Sequence, residues 1–201
     1  MSTLYTLDSS ITDTWIRSDT TDHHGTDVEL VFGRGNPSVY WTTLIKWLGL
    51  TNGTIPTGKP VVSASIRFWL DYCNAPNATI IEVYRTLRAW TSSAADGIDW
   101  TSGNNWTEPG ARGLGTDIET IPVGTKAMAG APTQNAFYTI NLEPYRIYEI
   151  INGLVTYTGF AICIADSSPI GVYTSDSADT ANEMQLSVTV TDPTSGIMGI
   201  L

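Results

Sequence analysis

Hydrophobic and polar residues alternate along much of this chain. The clearest case runs from Val61 to Tyr72. There Val62, Ala64, Ile66, Phe68 and Leu70 share one parity, and Ser63, Ser65, Arg67, Trp69 and Asp71 share the other. Alternation of period two with one apolar face predicts a β-strand. Shorter runs read the same way: 14–17, 28–32, 38–48, 79–87, 137–142, 154–165 and 185–191. Turn signals separate the early ones, at Gly33–Pro37, Asn52-Gly53 and Pro56–Pro60.

One stretch fits a helix. Pro144 suits a first-turn position, Tyr145, Tyr148 and Ile151 follow at helical spacing, and Asn152-Gly153 suits the C-terminal cap. The helix is expected near 143–152. The segment 88–132 is rich in Trp, Gly and Pro and poor in strand runs, so it is expected to be long and irregular. Loops of that length are usually functional or packed as flaps. Eight or nine strands and one short helix predict an all-β fold, an antiparallel β-sandwich of jelly-roll type. No repeat or Pro/Ser linker divides the chain. Residues 1–192 are expected to form one domain and 193–201 an apolar tail. Ile197, Met198, Ile200 and Leu201 in that tail would want a partner if exposed. They are candidates for docking on a neighbouring protein, although folding back on their own domain would satisfy them too.

Composition narrows the function. The chain has 201 residues, 42% hydrophobic and 15% charged, with a net charge of −10. The usual charged share is about 25%, so the surface is expected to be neutral and polar. Thr fills about one position in seven. With three lysines (Lys46, Lys59, Lys126) and no basic run, the chain is not expected to bind nucleic acid, since phosphate neutralisation needs Lys and Arg. The longest apolar stretch, Gly159 to Ala165, is strand-sized, so no membrane span is expected. The N-terminus lacks the basic start and apolar core of a secretory signal. Asn52, Asn77 and Asn105 match the glycosylation pattern by chance on that reading.

Candidate chemistry is sparse. Nucleophile elbow, P-loop and dinucleotide fingerprint are all missing. His23 and His24 are adjacent in a polar stretch and are expected to be solvated. Adjacent side chains on an extended strand diverge, so they rarely share a metal. Asp96, Asp99, Glu108 and Asp117 fall in the Trp-rich segment and could supply a hydrolytic acid pair, but nothing singles out two of them. Asp19, Asp22 and Asp27, and separately Asp176 and Asp179, offer oxygen ligands for calcium without EF-hand spacing. Cys73 and Cys163 read as buried thiols, with a disulfide left open. No catalytic residue, metal or cofactor is expected.

Trp90, Trp100 and Trp106 are interleaved with Asn, Ser, Thr and Asp. Aromatic faces beside polar groups can stack on sugars. They can equally pin a long loop to the sandwich, since burying one large aromatic contributes about 1.5–3 kcal/mol. The second role is the favoured one.

The order of landmarks resembles the DNRLRE, or disaggregatase-related, domain. It runs through Asp13-Thr-Trp-Ile16, Thr43-Leu-Ile-Lys-Trp-Leu48 and Ile55-Pro. It continues through Val61 to Trp69, Glu82-Val-Tyr-Arg85, Trp90 and Asn105-Trp-Thr-Glu-Pro-Gly-Ala111. Asn152-Gly153, Thr158-Gly-Phe160, Tyr173-Thr-Ser-Asp176 and Leu186-Ser-Val188 complete it, so that residues 11–191 are covered. Asp99-Trp100 and Trp47 depart from the more usual Thr-Trp and Phe. The resemblance implies a jelly-roll-like sandwich, relatives among carbohydrate-binding modules, packed loop tryptophans and no catalytic residues.

The expected function is therefore non-enzymatic. A lone module without a secretory signal suits a virion protein, which is assembled in the host cytoplasm and leaves by lysis. A capsid decoration or appendage protein would dock on major capsid or other virion proteins, or on its own copies. The acidic charge would keep it off packaged genome. The alternative is a carbohydrate-binding module or adhesin that holds polysaccharide at Trp90, Trp100 and Trp106.

Overall fold

The computed structural model describes residues 1–34, 38–73, 79–128, 132–164, 170–173 and 180–192. In chain order the elements are β1 (Ser2–Leu7), β2 (Ile11–Arg17), β3 (Glu29–Arg34), β4 (Tyr40–Trp47), β5 (Val61–Cys73) and β6 (Thr79–Arg85). Then come β7 (Asp99–Thr101), β8 (Asn104–Asn105), β9 (Gly124–Met128), β10 (Ala136–Leu142) and α1 (Pro144–Ile151). The last three are β11 (Phe160–Ile164), β12 (Ile170–Tyr173) and β13 (Gln185–Thr191).

The expected jelly-roll sandwich is not what forms. The strands close into an eight-stranded antiparallel barrel, in the order β5-β10-β9-β6-β11-β4-β3-β12 and back to β5. Outside the ring, β13 pairs with β5, β1 with β13, and β2 with β4. The difference lies in a few short joints. One register pair, Leu142 with Gly124, joins β10 to β9, and two, Gly33 with Trp41 and Arg34 with Tyr40, join β3 to β4. Closure also needs β9 and β12. β9 lies inside the segment expected to be irregular, and β12 is four residues long with a central Gly171. Alternation reports which face of a strand is buried, not whether two sheet edges meet, so it cannot separate a sandwich from a closed ring.

β5 is long enough to carry three neighbours. β10 pairs along Ala64–Leu70, β13 pairs along Val61–Arg67, and β12 takes over from Leu70 to Cys73. Ala64, Ile66, Phe68 and Leu70 point inward as the alternation predicts. Val62 does not. The register slips between Thr189 and Val190, which pair with Ser63 and Val61 and leave Val62 as an extra residue, 50% exposed. A bulge of this kind reverses the parity beyond it. Val61, rather than Val62, packs against the core.

The barrel interior is filled. Phe32, Trp47, Phe68 and Phe160 are fully buried among Ile, Leu and Val side chains. The helix forms where expected. Pro144 opens it, Ile147, Ile150 and Ile151 join the core, and the Asn152 N–H donates to Tyr148 O.

A second, smaller core lies on the outside of the wall made by β2, β4, β11 and β6. Ile16, Leu44, Tyr84, Ala161 and Cys163 meet Trp90, Ala95, Trp106, Ala111 and Ile118 there. All five residues of β11 are consequently buried: Phe160, Ile162 and Ile164 face inward, Ala161 and Cys163 face the outer core.

Candidate functional surfaces

The Trp-rich segment holds itself together through its acids. Asp96 Oδ1 accepts the backbone N–H groups of Ile98 (2.6 Å) and Asp99 (2.7 Å), a local turn that leads into the β7–β8 hairpin. Asp117 is fully buried and accepts three N–H bonds, from Thr107 (2.9 Å), Glu108 (3.0 Å) and Gly113 (3.1 Å). The Arg88 Nε stands 3.6 Å from its Oδ1. Asp99 accepts from Gly103 N–H at 3.1 Å. Three of the four acids considered for hydrolysis are thus backbone acceptors, and Glu108 is exposed.

The tryptophans fix the segment to the barrel. Trp90 and Trp106 are each 4% exposed, and Trp106 Nε1 donates to Asp96 O at 2.9 Å. Trp100 is half-buried, with the Arg88 guanidinium 5.8 Å from its ring centre. Trp90 and Trp106 therefore offer no open ring face in this arrangement. Glycines allow the approach. A Cβ on Gly159, at φ +127°, would lie 2.9 Å from Trp90 Nε1, and one on Gly97 would lie 1.7 Å from Arg17 O. Thr42 Oγ1 adds a bond to Gly110 O at 2.8 Å.

The histidines are not both solvated, as the sequence suggested. His24 stacks on Trp15 with ring centres 3.5 Å apart, and its Nδ1 lies 2.8 Å from Asp27 Oδ2. Trp15 Nε1 donates to the same oxygen at 3.0 Å. His23 Nδ1 lies 3.4 Å from Ala95 O. The three side chains form a compact plate, because the aromatic at Trp15 on β2 gives the imidazole a flat partner. Asp19 is held by Arg17 Nε at 2.7 Å. Among the described residues, no three His, Cys, Asp or Glu side chains converge as metal ligands would. Asp176, Asp179 and the tail residues Ile197, Met198, Ile200 and Leu201 lie outside the described residues. Cys73 is half-buried, Cys163 is buried, and neither is in a disulfide. No described helix is long and apolar enough to cross a membrane.

A further exposed surface lies on the outer face of β1, β13, β5 and β10. The register of β1, β13, β5 and β10 sets outward residues in rows: Thr6, Ser187, Ser65, Asn141; then Gln185, Arg67, Thr139. Beyond them Trp69 pairs with Phe137, ring centres 4.9 Å apart at 77°. Arg67 lays its guanidinium 3.5 Å from the Phe137 ring centre. Leu4 and Phe137 are exposed, at 63% and 39%. One sequence signal marks this patch: Trp69 is an aromatic residue on the polar parity of β5.

No family profile matches the chain, and neither does any curated protein. The DNRLRE resemblance rests on the motifs alone.

Proposed function

We propose that the chain is a non-enzymatic structural protein of a virus particle, a capsid decoration or appendage protein. It docks on neighbouring virion proteins through the outer face of β1, β13, β5 and β10. The DNRLRE resemblance belongs to the same proposal as a likeness of motifs, without the jelly-roll sandwich it implied. The composition of that face carries the reading. Its outward positions are hydroxyl, amide, apolar and aromatic, with Arg67 and Asp71 as the charges on these strands. Aromatic residues and Arg are enriched at protein interfaces, while Asp, Glu and Lys are depleted. Burying such a face removes few charges from water, so it avoids the largest desolvation penalty, and its hydroxyl and amide groups can be met by hydrogen bonds from a partner.

Particles whose genome encodes this chain provide the test. Quantitative mass spectrometry of purified particles is expected to find the chain at a fixed ratio to the capsid protein. A Phe137→Asp, Arg67→Glu variant is expected to lose that occupancy while still unfolding in one cooperative transition, a few degrees lower for the lost cross-strand contacts. Absence of the chain from purified particles would overturn the proposal.

One observation favours a second reading. The Trp69–Phe137–Arg67 cluster presents aromatic surface beside Thr139 and Gln185, a combination that suits a polysaccharide. With Trp90 and Trp106 under the loop, glycan stacking would fall to Trp69, Phe137 and Trp100 instead. Saturable glycan binding that Trp69→Ala abolishes, without unfolding, would support this reading over the first.

A further inference from the structure

We propose that residues 197–201 (Ile-Met-Gly-Ile-Leu) occupy a groove on the same chain, between α1 and the loop that enters β5. The proposal does not depend on particle docking.

The groove has a volume of about 460 Å³ and is lined by Gly58, Pro60, Val61, Glu143, Pro144, Tyr145 and Tyr148. Cavities of about 300–1,000 Å³ are of the size that takes small ligands. Here the walls are two prolines, a valine, two tyrosine rings, a glycine and one carboxylate side chain, Glu143. Tyr145 and Tyr148 are one helical turn apart and stack with centres 6.1 Å apart at 22°, and Tyr145 remains 60% exposed. The shape is held from below, where Gly58 N–H donates to Asn152 Oδ1 at 2.6 Å and so ties the loop to the end of α1. The proline and tyrosine faces of this trough suit apolar side chains, and its polar edges suit backbone.

The chain delivers one. β13 ends beside the groove: Thr191 N–H donates to the carbonyl of Pro60, a lining residue, at 3.0 Å. The next residue is fixed there as well. Asp192 N–H donates to Met1 O at 3.1 Å, and its carboxylate meets Lys59 Nζ at 2.6 Å. Four residues, Pro-Thr-Ser-Gly, separate that anchor from Ile197, and Pro, Ser and Gly are turn formers. Five residue steps reach at most about 17 Å, so the apolar run is kept close to Pro60. A linker this short gives an effective concentration on the order of millimolar, well above the concentration of a second copy in ordinary solution. Geometry thus favours the chain's own segment over a neighbour's, and redirects Ile197, Met198, Ile200 and Leu201 from an outside partner to the parent domain.

Hydrogen exchange of the full chain, read by mass spectrometry over peptides spanning 193–201, tests this. The segment is expected to exchange about tenfold more slowly in the wild type than in a Tyr145→Ala, Tyr148→Ala variant, as for a contact whose effective concentration is about ten times its Kd. Equal rates in the two proteins would overturn the proposal. A chain ending at Asp192 provides the second measurement, and decides if the tyrosine variant fails to fold. Its amide resonances are expected to shift at Gly58, Val61, Tyr145 and Tyr148, and no shift there would overturn the proposal. Protection that rises with protein concentration, together with a dimer mass by light scattering, would assign the groove to a second copy's segment and overturn the proposal as well.

Discussion

Asp117 is the side chain on which the outer Trp layer turns, and Asp117→Ala measures its weight. The carboxylate accepts three backbone N–H bonds and is itself fully buried. A hydrogen bond to a charged group contributes about 1.5–3 kcal/mol, so three give a gross loss of about 5–9 kcal/mol. Thr107 and Glu108 are exposed, however, and their N–H groups can turn to water once the carboxylate is gone. Gly113 is buried and its N–H cannot. The net cost is therefore expected at about 3–5 kcal/mol, the range for breaking a buried charged contact. For a domain of this size that lowers the melting temperature by roughly 6–20 °C, at about 2–4 °C per kcal/mol. Urea unfolding followed by both far-ultraviolet circular dichroism and Trp fluorescence is the assay. If the outer layer opens before the barrel does, fluorescence will shift to the red as Trp90 and Trp106 reach water, while the strand signal persists. A loss below about 1 kcal/mol with unchanged fluorescence would refute the reasoning, because it would mean the three bonds are replaceable.

Two further outcomes follow from ionisable groups. Burial, and then the facing Asp71 carboxylate, push Glu29 above its ordinary value of 4.5. The folded protein therefore holds that proton more tightly than the unfolded one. The sign follows: Glu29 costs stability once ionised, so its contribution declines as pH rises from 4.5 through the raised value. Glu29→Gln is expected to raise the melting temperature more at about pH 7 than at about pH 4, and a larger gain at acidic pH would refute this. Burial also pushes the Cys163 thiol up, whereas Cys73 is half-buried. A thiol reagent is expected to label Cys73 in the native protein and Cys163 only after denaturation, read by peptide mass spectrometry. Native labelling of Cys163 at a comparable rate would contradict the outer core as described.

Much of the barrel wall could be read from alternation alone. Ala64, Ile66, Phe68 and Leu70 form an inward row because a strand with one wet face must alternate, and Pro144 with Asn152-Gly153 bounds the helix. Val62 broke the pattern because a bulge depends on the partner strand, which no local window contains. The closure by β9 and β12 was hidden for a related reason. Short strands that bridge two sheet edges owe their conformation to neighbours distant in sequence, not to their own propensity. The Trp-rich segment was half legible. Its tryptophans announced an anchor, but Asp96 and Asp117 looked like surface acids until their backbone donors were in place. Trp69 carried a signal in its parity, and it stood out only once Phe137 and Arg67 were placed beside it.

β1 runs antiparallel to β13 along its whole length, so Met1 and Asp192 sit side by side at one end of the barrel. That arrangement has a mechanical meaning. Tension applied between those two points would load the rungs of the β1–β13 ladder one after another, as a zipper opens, instead of shearing them together. β1 would peel away early, and the closed ring, of which neither strand is a member, would stay shut behind it. Adjacent ends also suit grafting, because a host loop could accept residues 1–192 with little change in its own span. The pair of outer strands is in this sense a pull tab: tension is taken up first by β1, and reaches the core residues of β13 and then the ring only after β1 has come away.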